Sequence, residues 1–162
     1  MSDGERVEQL IYDWLERNYP DGPTWYGRPA SDQPPIEIKM ISAFGAIEYN
    51  LSNGGWAQFL WNCFDEWRDI IDIAREGYLL IGAPEQSAAL DKLRTLCERD
   101  ERECREAQEQ PEWLFGKFTS RSYSAPANDW EKLFYGYGIY AKRPAWLAAN
   151  EARVRKVLGA QD

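Results

Sequence analysis

Apolar residues recur at spacings of three and four along most of this chain, with no strong period-two run, so the pattern predicts helices rather than strands. Val7, Leu10, Ile11, Trp14 and Leu15 share one face of a first helix, which opens at a capping box of Ser2 with Glu5 and runs to about Asn18. Five of the nine prolines, with Gly22 and Gly27, fall within residues 19–35 and predict a loop whose Trp25 and Tyr26 pack back onto the domain. A second helix from about Pro35 to Asn50 buries Met40, Ile41, Phe44 and Ile47, with Leu51 beyond it. Asn53-Gly54-Gly55 then opens a short helix. Phe64, Trp67, Ile71, Ala74 and Tyr78 place another over about 64–80, ending at Gly82. Pro84 fits the first turn of the next, about 84–109, which buries Ala89, Leu90, Leu93, Leu96, Cys97 and Cys104. A short segment, Pro111 to Phe118, precedes a Ser-rich loop at 119–127. Asn128 with Glu131 reads as a helix start leading to Trp130, Leu133, Phe134 and Tyr137, and Pro144 opens a last helix closed by Gly159. With no internal repeat, residues 1–162 read as a single all-α domain of six to eight helices.

Composition narrows the chemistry. A length of 162 residues suits one domain, and eight Trp with nine Tyr supply a core that a disordered chain would lack. No run approaches the roughly eighteen apolar residues of a membrane span, and the N-terminus has no signal-peptide pattern, so the expected location is the cytoplasm. The chain has no histidine, which removes most catalytic constellations and most zinc sites. Of the three cysteines, Cys97 and Cys104 lie on one helix with Cα atoms about 10 Å apart, too far for a disulfide. They, with Cys63, read as reduced core thiols, and neither a metal nor a cofactor is expected.

The formal net charge is −8, unevenly placed: residues 1–116 carry 23 acidic and 11 basic side chains, and residues 117–162 carry 4 and 8. Such a surface repels nucleic acid and anionic membranes, and its natural counterpart is a basic protein, although acidity also serves plain solubility.

The most distinctive stretch is Asn53-Gly54-Gly55-Trp56-Ala57-Gln58-Phe59-Leu60-Trp61-Asn62. Asn53 can cap the following helix or take the left-handed conformation that closes the preceding one. Gly54 and Gly55 permit a tight turn or a close backbone approach. Gln58 and Asn62, four apart, share a helical face opposite Trp56, Phe59, Leu60 and Cys63, and their amides need partners if buried. Without an acid, base or nucleophile beside them, these residues read as a rigid helix junction and not as a catalytic site.

The stretch resembles the signature of the DMP19-like family, also called the DUF4375 domain: Asn-Gly-Gly, a bulky apolar residue, any residue, Gln, two apolar residues, any residue, Asn. Ile81-Gly82-Ala83 also looks like the family, and the resemblance covers roughly residues 40–95. It implies an all-helical domain. It also implies, through the family's best-understood member, an acidic dimer that imitates DNA and occupies the DNA-binding face of a transcription factor.

Mimicry requires a row of negative charge. Asp65, Asp69, Asp72 and Glu76 follow helical spacing and predict one carboxylate per turn, about 5–6 Å apart, against about 3.4 Å per nucleotide in a phosphate row. A solvated outer face is the bland alternative, and Arg68 can reach Asp65 or Asp72 and weaken the field. Between Glu98 and Glu112, four-apart pairs of opposite sign, Glu98 with Arg102, Glu101 with Arg105, Arg99 with Glu103 and Arg102 with Glu106, predict a self-neutralised helix with Asp100 and Glu109 as surplus. Arg143, Arg153, Arg155 and Lys156 are expected to complement a helix dipole or to pair with an acidic helix, in this chain or in a second subunit.

Three functional classes follow. The leading expectation is a non-enzymatic acidic module that binds a basic protein, in its sharper form a DNA-binding protein, with no direct contact to nucleic acid or membrane and with a homodimer suggested by the resemblance. The alternative is an immunity or antitoxin-type inhibitor anchored by Trp25, Tyr26, Trp113 and Tyr123. A carboxylate-dependent enzyme is the third, for which no spacing promises two converging acids.

Overall fold

The computed structural model describes residues 1–124, 134–136 and 138–159. Among these lie seven α-helices and no strand: α1 (Asp3–Asn18), α2 (Ile36–Asn62), α3 (Trp67–Leu80), α4 (Pro84–Gln108), α5 (Phe115–Thr119), α6 (Ile139–Ala149) and α7 (Glu151–Leu158). Short 3₁₀ turns occupy Ala30–Asp32 and Ser120–Tyr123.

Helix α2 is the axis of the fold. Met40, Ile41, Phe44 and Ile47 are buried on one face before its kink, and Trp56, Phe59 and Leu60 on one face after it, so each arm turns an apolar face into the core and the kink re-aims the second. It packs against α3, α4 and α5, and α3 in turn packs against α4. Phe44 stacks on Tyr78 of α3 at 4.1 Å between ring centroids. This close approach needs Gly77, where a Cβ would fall 2.6 Å from Met40 Cβ and 2.8 Å from Phe44 Cζ.

Helix α1 starts at the expected capping box. Glu5 N–H donates to Ser2 Oγ, and the Ser2 N–H donates to the Glu5 carboxylate. It covers one edge of the core with Val7 and Ile11, while Leu10, Trp14 and Leu15 stay half-buried. Its first turn lies against α6, with Gly4 directly beneath the Pro144 carbonyl. Trp25 is buried and Tyr26 half-buried, so the proline-rich loop does fold back.

Several boundaries differ from the sequence pattern for identifiable reasons. The second helix does not stop at Asn50 but runs to Gly54, with Ile47 and Leu51 held in the core, and it breaks at Gly55, after which a second helical arm begins as the Asn-Gly-Gly element predicts. The third begins at Trp67, since Cys63–Glu66 forms a turn with the Glu66 N–H donating to the Cys63 carbonyl (2.9 Å). Phe64 and Leu96 are half-buried, not enclosed. Helix α3 closes on Ile81-Gly82-Ala83, where Gly82 has φ 75° and the Ala83 N–H reaches the Tyr78 carbonyl (2.7 Å), the six-to-one bond of a Schellman cap. The Ser-rich segment is not an open loop in its first part, because Ser120–Tyr123 is a 3₁₀ turn with Ser122 buried. Pro144 lies inside α6 and does not open it; Gly138, at φ 65°, and the buried Ile139 start the helix earlier. The expected helix start at Asn128 and Glu131, with Trp130, Leu133 and Tyr137, lies outside the described residues. The three cysteines are free, and burial pushes the Cys63 and Cys104 thiols up to about 12.

Candidate interaction surface

The decapeptide forms a kinked corner of α2. Gly55, at φ 74° and ψ −166°, occupies a backbone region open essentially to glycine alone, and the helix changes direction there. Residues up to Gly54 are still helical, so Asn53 neither caps nor terminates; its side chain donates to the Tyr49 carbonyl one turn back (2.7 Å). Beyond the kink, the freed Ala57 N–H is satisfied by Ser122 Oγ (2.9 Å), which ties the 3₁₀ turn to the corner.

The two amides meet at a residue the sequence pattern did not single out. Asn62 Nδ2 donates to Asn50 Oδ1 (2.8 Å), and Gln58 Nε2 donates to the same oxygen (3.4 Å). Asn50 is buried and donates in turn to the Ala46 carbonyl (2.7 Å). It is therefore the hub that bridges the two arms of the bent helix. The available signal was an Asn in the apolar register beside Ile47 and Leu51. A Cβ on Gly54 would overlap the Gln58 amide oxygen and lie 2.9 Å from Gln58 Cβ, so this glycine makes room for the network.

The expected acidic row is divided. Asp65 sits in the turn before α3 and off its helical line. Asp69 accepts the Gly27 N–H and so holds the proline-rich loop, and Asp72 pairs with Arg94 of α4. Asp65 and Glu76 are exposed and take part in no ion pair among the described residues. Glu66 joins Asp65 in the turn before α3. Its carboxyl is raised above the ordinary value by burial first, then by the Asp65 and Asp69 charges, as expected where like charges lack a nearby cation.

Helices α3 and α4 are stitched by Asp72 with Arg94, Arg75 with Asp91 (3.1 Å) and Arg68 with Glu101 (2.6 Å). Arg68 therefore reaches across to α4 and not to Asp65 or Asp72. Of the four-apart pairs expected along α4, only Arg102 with Glu106 forms, at 3.7 Å. Asp100 is not surplus surface charge: it is buried between Arg99 (2.7 Å) and Arg121 (3.1 Å). Burial opposes its ionisation, yet hydrogen bonds from both guanidinium groups keep its carboxyl below the usual value.

The basic C-terminal part turns inward. Arg143 bridges Glu8 of α1 (3.2 Å) and Glu48 of α2 (2.7 Å), Arg153 pairs with the buried Glu37, and Arg155 with Glu151 (2.8 Å). Of the four aromatic anchors, Trp25 is in the core and Tyr26 half-covered, whereas Trp113 and Tyr123 are 78% and 73% exposed. Among the described residues, no group of three or more Cys, Asp or Glu could hold a metal ion, and no helix is long and apolar enough to cross a membrane.

The kinked corner, its amide hub and the glycine-capped end of α3 all lie within the segment that one family model matches. The model of that family, DMP19-like protein, matches residues 32–150, from the end of the proline-rich loop through α6, and the chain belongs to it. No match was found among curated proteins or among solved structures.

Proposed function

We propose that this protein is a non-enzymatic acidic module that covers a basic surface of a partner protein, and that this surface is a DNA-binding one. The observation that carries the reading is where the charges go. Arg121, Arg143 and Arg153 neutralise Asp100, Glu8, Glu48 and Glu37 and Arg155 pairs with Glu151, so these cations are committed within the fold while a subset of the carboxylates of the first 116 residues stays exposed and takes part in no ion pair among the described residues. Asp65, Glu66 and Glu76 are the members of this set on the turn before α3 and on α3 itself. The family resemblance supplies the sharper half, DNA mimicry. The kinked motif serves as the rigid corner that presents Asp65 and Glu66, not as a reaction centre.

The test uses Asp65→Lys with Glu76→Lys, the two row members with no structural partner. Asp69 and Asp72 are unsuitable, since reversing them would release the Gly27 loop and the Arg94 pair. Partners captured from lysate by the wild type are identified, then titrated with both proteins. The reading expects the double variant to keep its melting temperature and lose affinity, and DNA to displace the wild type; retention of full affinity overturns it. A second reading, an inhibitor of a toxin or nuclease, is favoured by the exposure of Trp113 and Tyr123 and would show instead as sensitivity to aromatic substitutions.

A further inference from the structure

We infer that the ledge built from Trp113, Trp61 and Phe115 is a binding site for an arginine or lysine side chain carried on an extended segment of a protein partner. This does not depend on DNA mimicry, because the ledge is reached through an aromatic face and not through a charge row. Trp113 is mostly exposed, yet its ring is held: it stacks on Phe115 (5.7 Å, 20° between planes) and meets Trp61 edge-on (5.6 Å, 80°). Trp61 itself is fixed at the end of the motif helix, where Gln108 Nε2 donates to its carbonyl (2.9 Å). A preordered aromatic face of this size loses little freedom on binding, which is why Trp dominates interface anchors.

Two recesses meet beside this face, one of about 640 Å³ between the end of α4 and α5 and one of about 360 Å³ under Trp113. Glu112 lines both, together with Ala107 and Gln110. It is exposed and, like Glu109, makes no ion pair among the described residues. Among the described residues, Glu103 and Glu106 on the larger recess form ion pairs with Arg102 alone, at 3.7 Å. Two cations also line that recess. Arg121 is committed to Asp100 and lies over the Phe118 ring, which leaves Lys117 as the one basic rim residue without an ion pair among those described.

The chemistry of the occupant follows. A neutral apolar wedge would strip water from Glu112 and give nothing in return, and an anion would be repelled. A long cationic side chain satisfies both halves: its methylenes cover the Trp113 face while its head reaches the Glu112 carboxylate and the ring quadrupole.

The experiment is a ¹⁵N NMR titration that follows the indole signals of the eight tryptophans, with Trp113 assigned by Trp113→Phe. The probes are a short Gly-Arg repeat peptide and the same peptide with citrulline, its uncharged isostere. Saturable movement of the Trp113 and Trp61 indoles by the arginine peptide alone is expected. Glu112→Gln should weaken that binding about two- to fivefold, the scale of one exposed charge contact, with an unchanged melting temperature. Trp113→Ala should abolish the Trp61 response. Equal shifts with citrulline, wild-type affinity in Glu112→Gln, or peptide effects confined to the surroundings of Asp65 and Glu76 would each overturn the inference. So would a Trp113 signal that responds only to protein concentration, which would assign the ledge to a second copy of the chain.

Discussion

Replacing Gly55 by alanine tests the kinked corner on which the candidate surface is built. At φ 74° and ψ −166° the residue lies where a Cβ-bearing residue is strained by about 1–3 kcal/mol. Alanine also restricts the unfolded chain, which offsets about 0.4–1 kcal/mol of this. The expected net loss is about 1–2 kcal/mol. For a chain of this length that lowers the melting temperature by roughly 2–8 °C. Gly54→Ala provides the contrast. Its backbone is helical, so alanine is favoured there by about 1 kcal/mol, and the penalty comes from the overlap with the Gln58 amide. Shortening Gln58 to alanine removes the amide overlap but keeps the 2.9 Å approach to its Cβ, so it should recover part of the Gly54→Ala loss and none of the Gly55→Ala loss. Chemical denaturation of the single and double variants, arranged as two mutant cycles, measures both couplings. If Gly55→Ala is as stable as the wild type, or if Gln58→Ala rescues both glycines equally, the assignment of distinct roles to them is wrong.

Arg143→Met should cost on the order of 2 kcal/mol, between the surface and buried limits for ion pairs, because Glu8 and Glu48 are left together with little solvent; thermal unfolding with and without Glu8→Gln measures it. The folded carboxyl of Asp100 lies below its unfolded value of 3.8. Its contribution is thus present above that value and lost as pH falls through the lower folded one, and Asp100→Asn should flatten the acid limb of stability against pH. Burial raises all three thiols, so at pH 8 none should react with a thiol reagent at an appreciable rate until the chain is unfolded; rapid labelling of one thiol in the native protein would contradict its placement.

The helical class, the capping box, the end of α3 at Gly82 and the burial of Trp25 were legible because each rests on local periodicity or turn chemistry. The break at Asn-Gly-Gly belongs with these, but its place was not legible, since the packing of Ile47 and Leu51 carries the first arm of α2 on to Gly54 before Gly55 turns the chain. Asn50 was hidden for a related reason: its partners are 8 and 12 residues away across a bend that no periodicity encodes. The acidic row was only partly legible: Asp65 falls in the turn before α3 and leaves the helical line, and which carboxylates remain free depends on Arg94 and Gly27 arriving from other elements. Likewise, α4 looked self-neutralised because four-apart pairs can be counted, whereas Arg68 and Arg121 come from outside it.

The central claim is that a basic, DNA-binding surface is covered by carboxylates left unpaired when the C-terminal arginines fold inward. Its most direct measurement is a salt series of dissociation constants for an identified partner, taken with wild type and with the Asp65→Lys, Glu76→Lys protein, each in the presence and absence of duplex DNA. The expected result is an affinity that falls steeply as salt rises for the wild type, a weakened and flatter dependence for the variant, and mutual exclusion of DNA and wild-type protein. A partner that holds DNA and this protein together, or equal affinities of the two proteins at low salt, would contradict it.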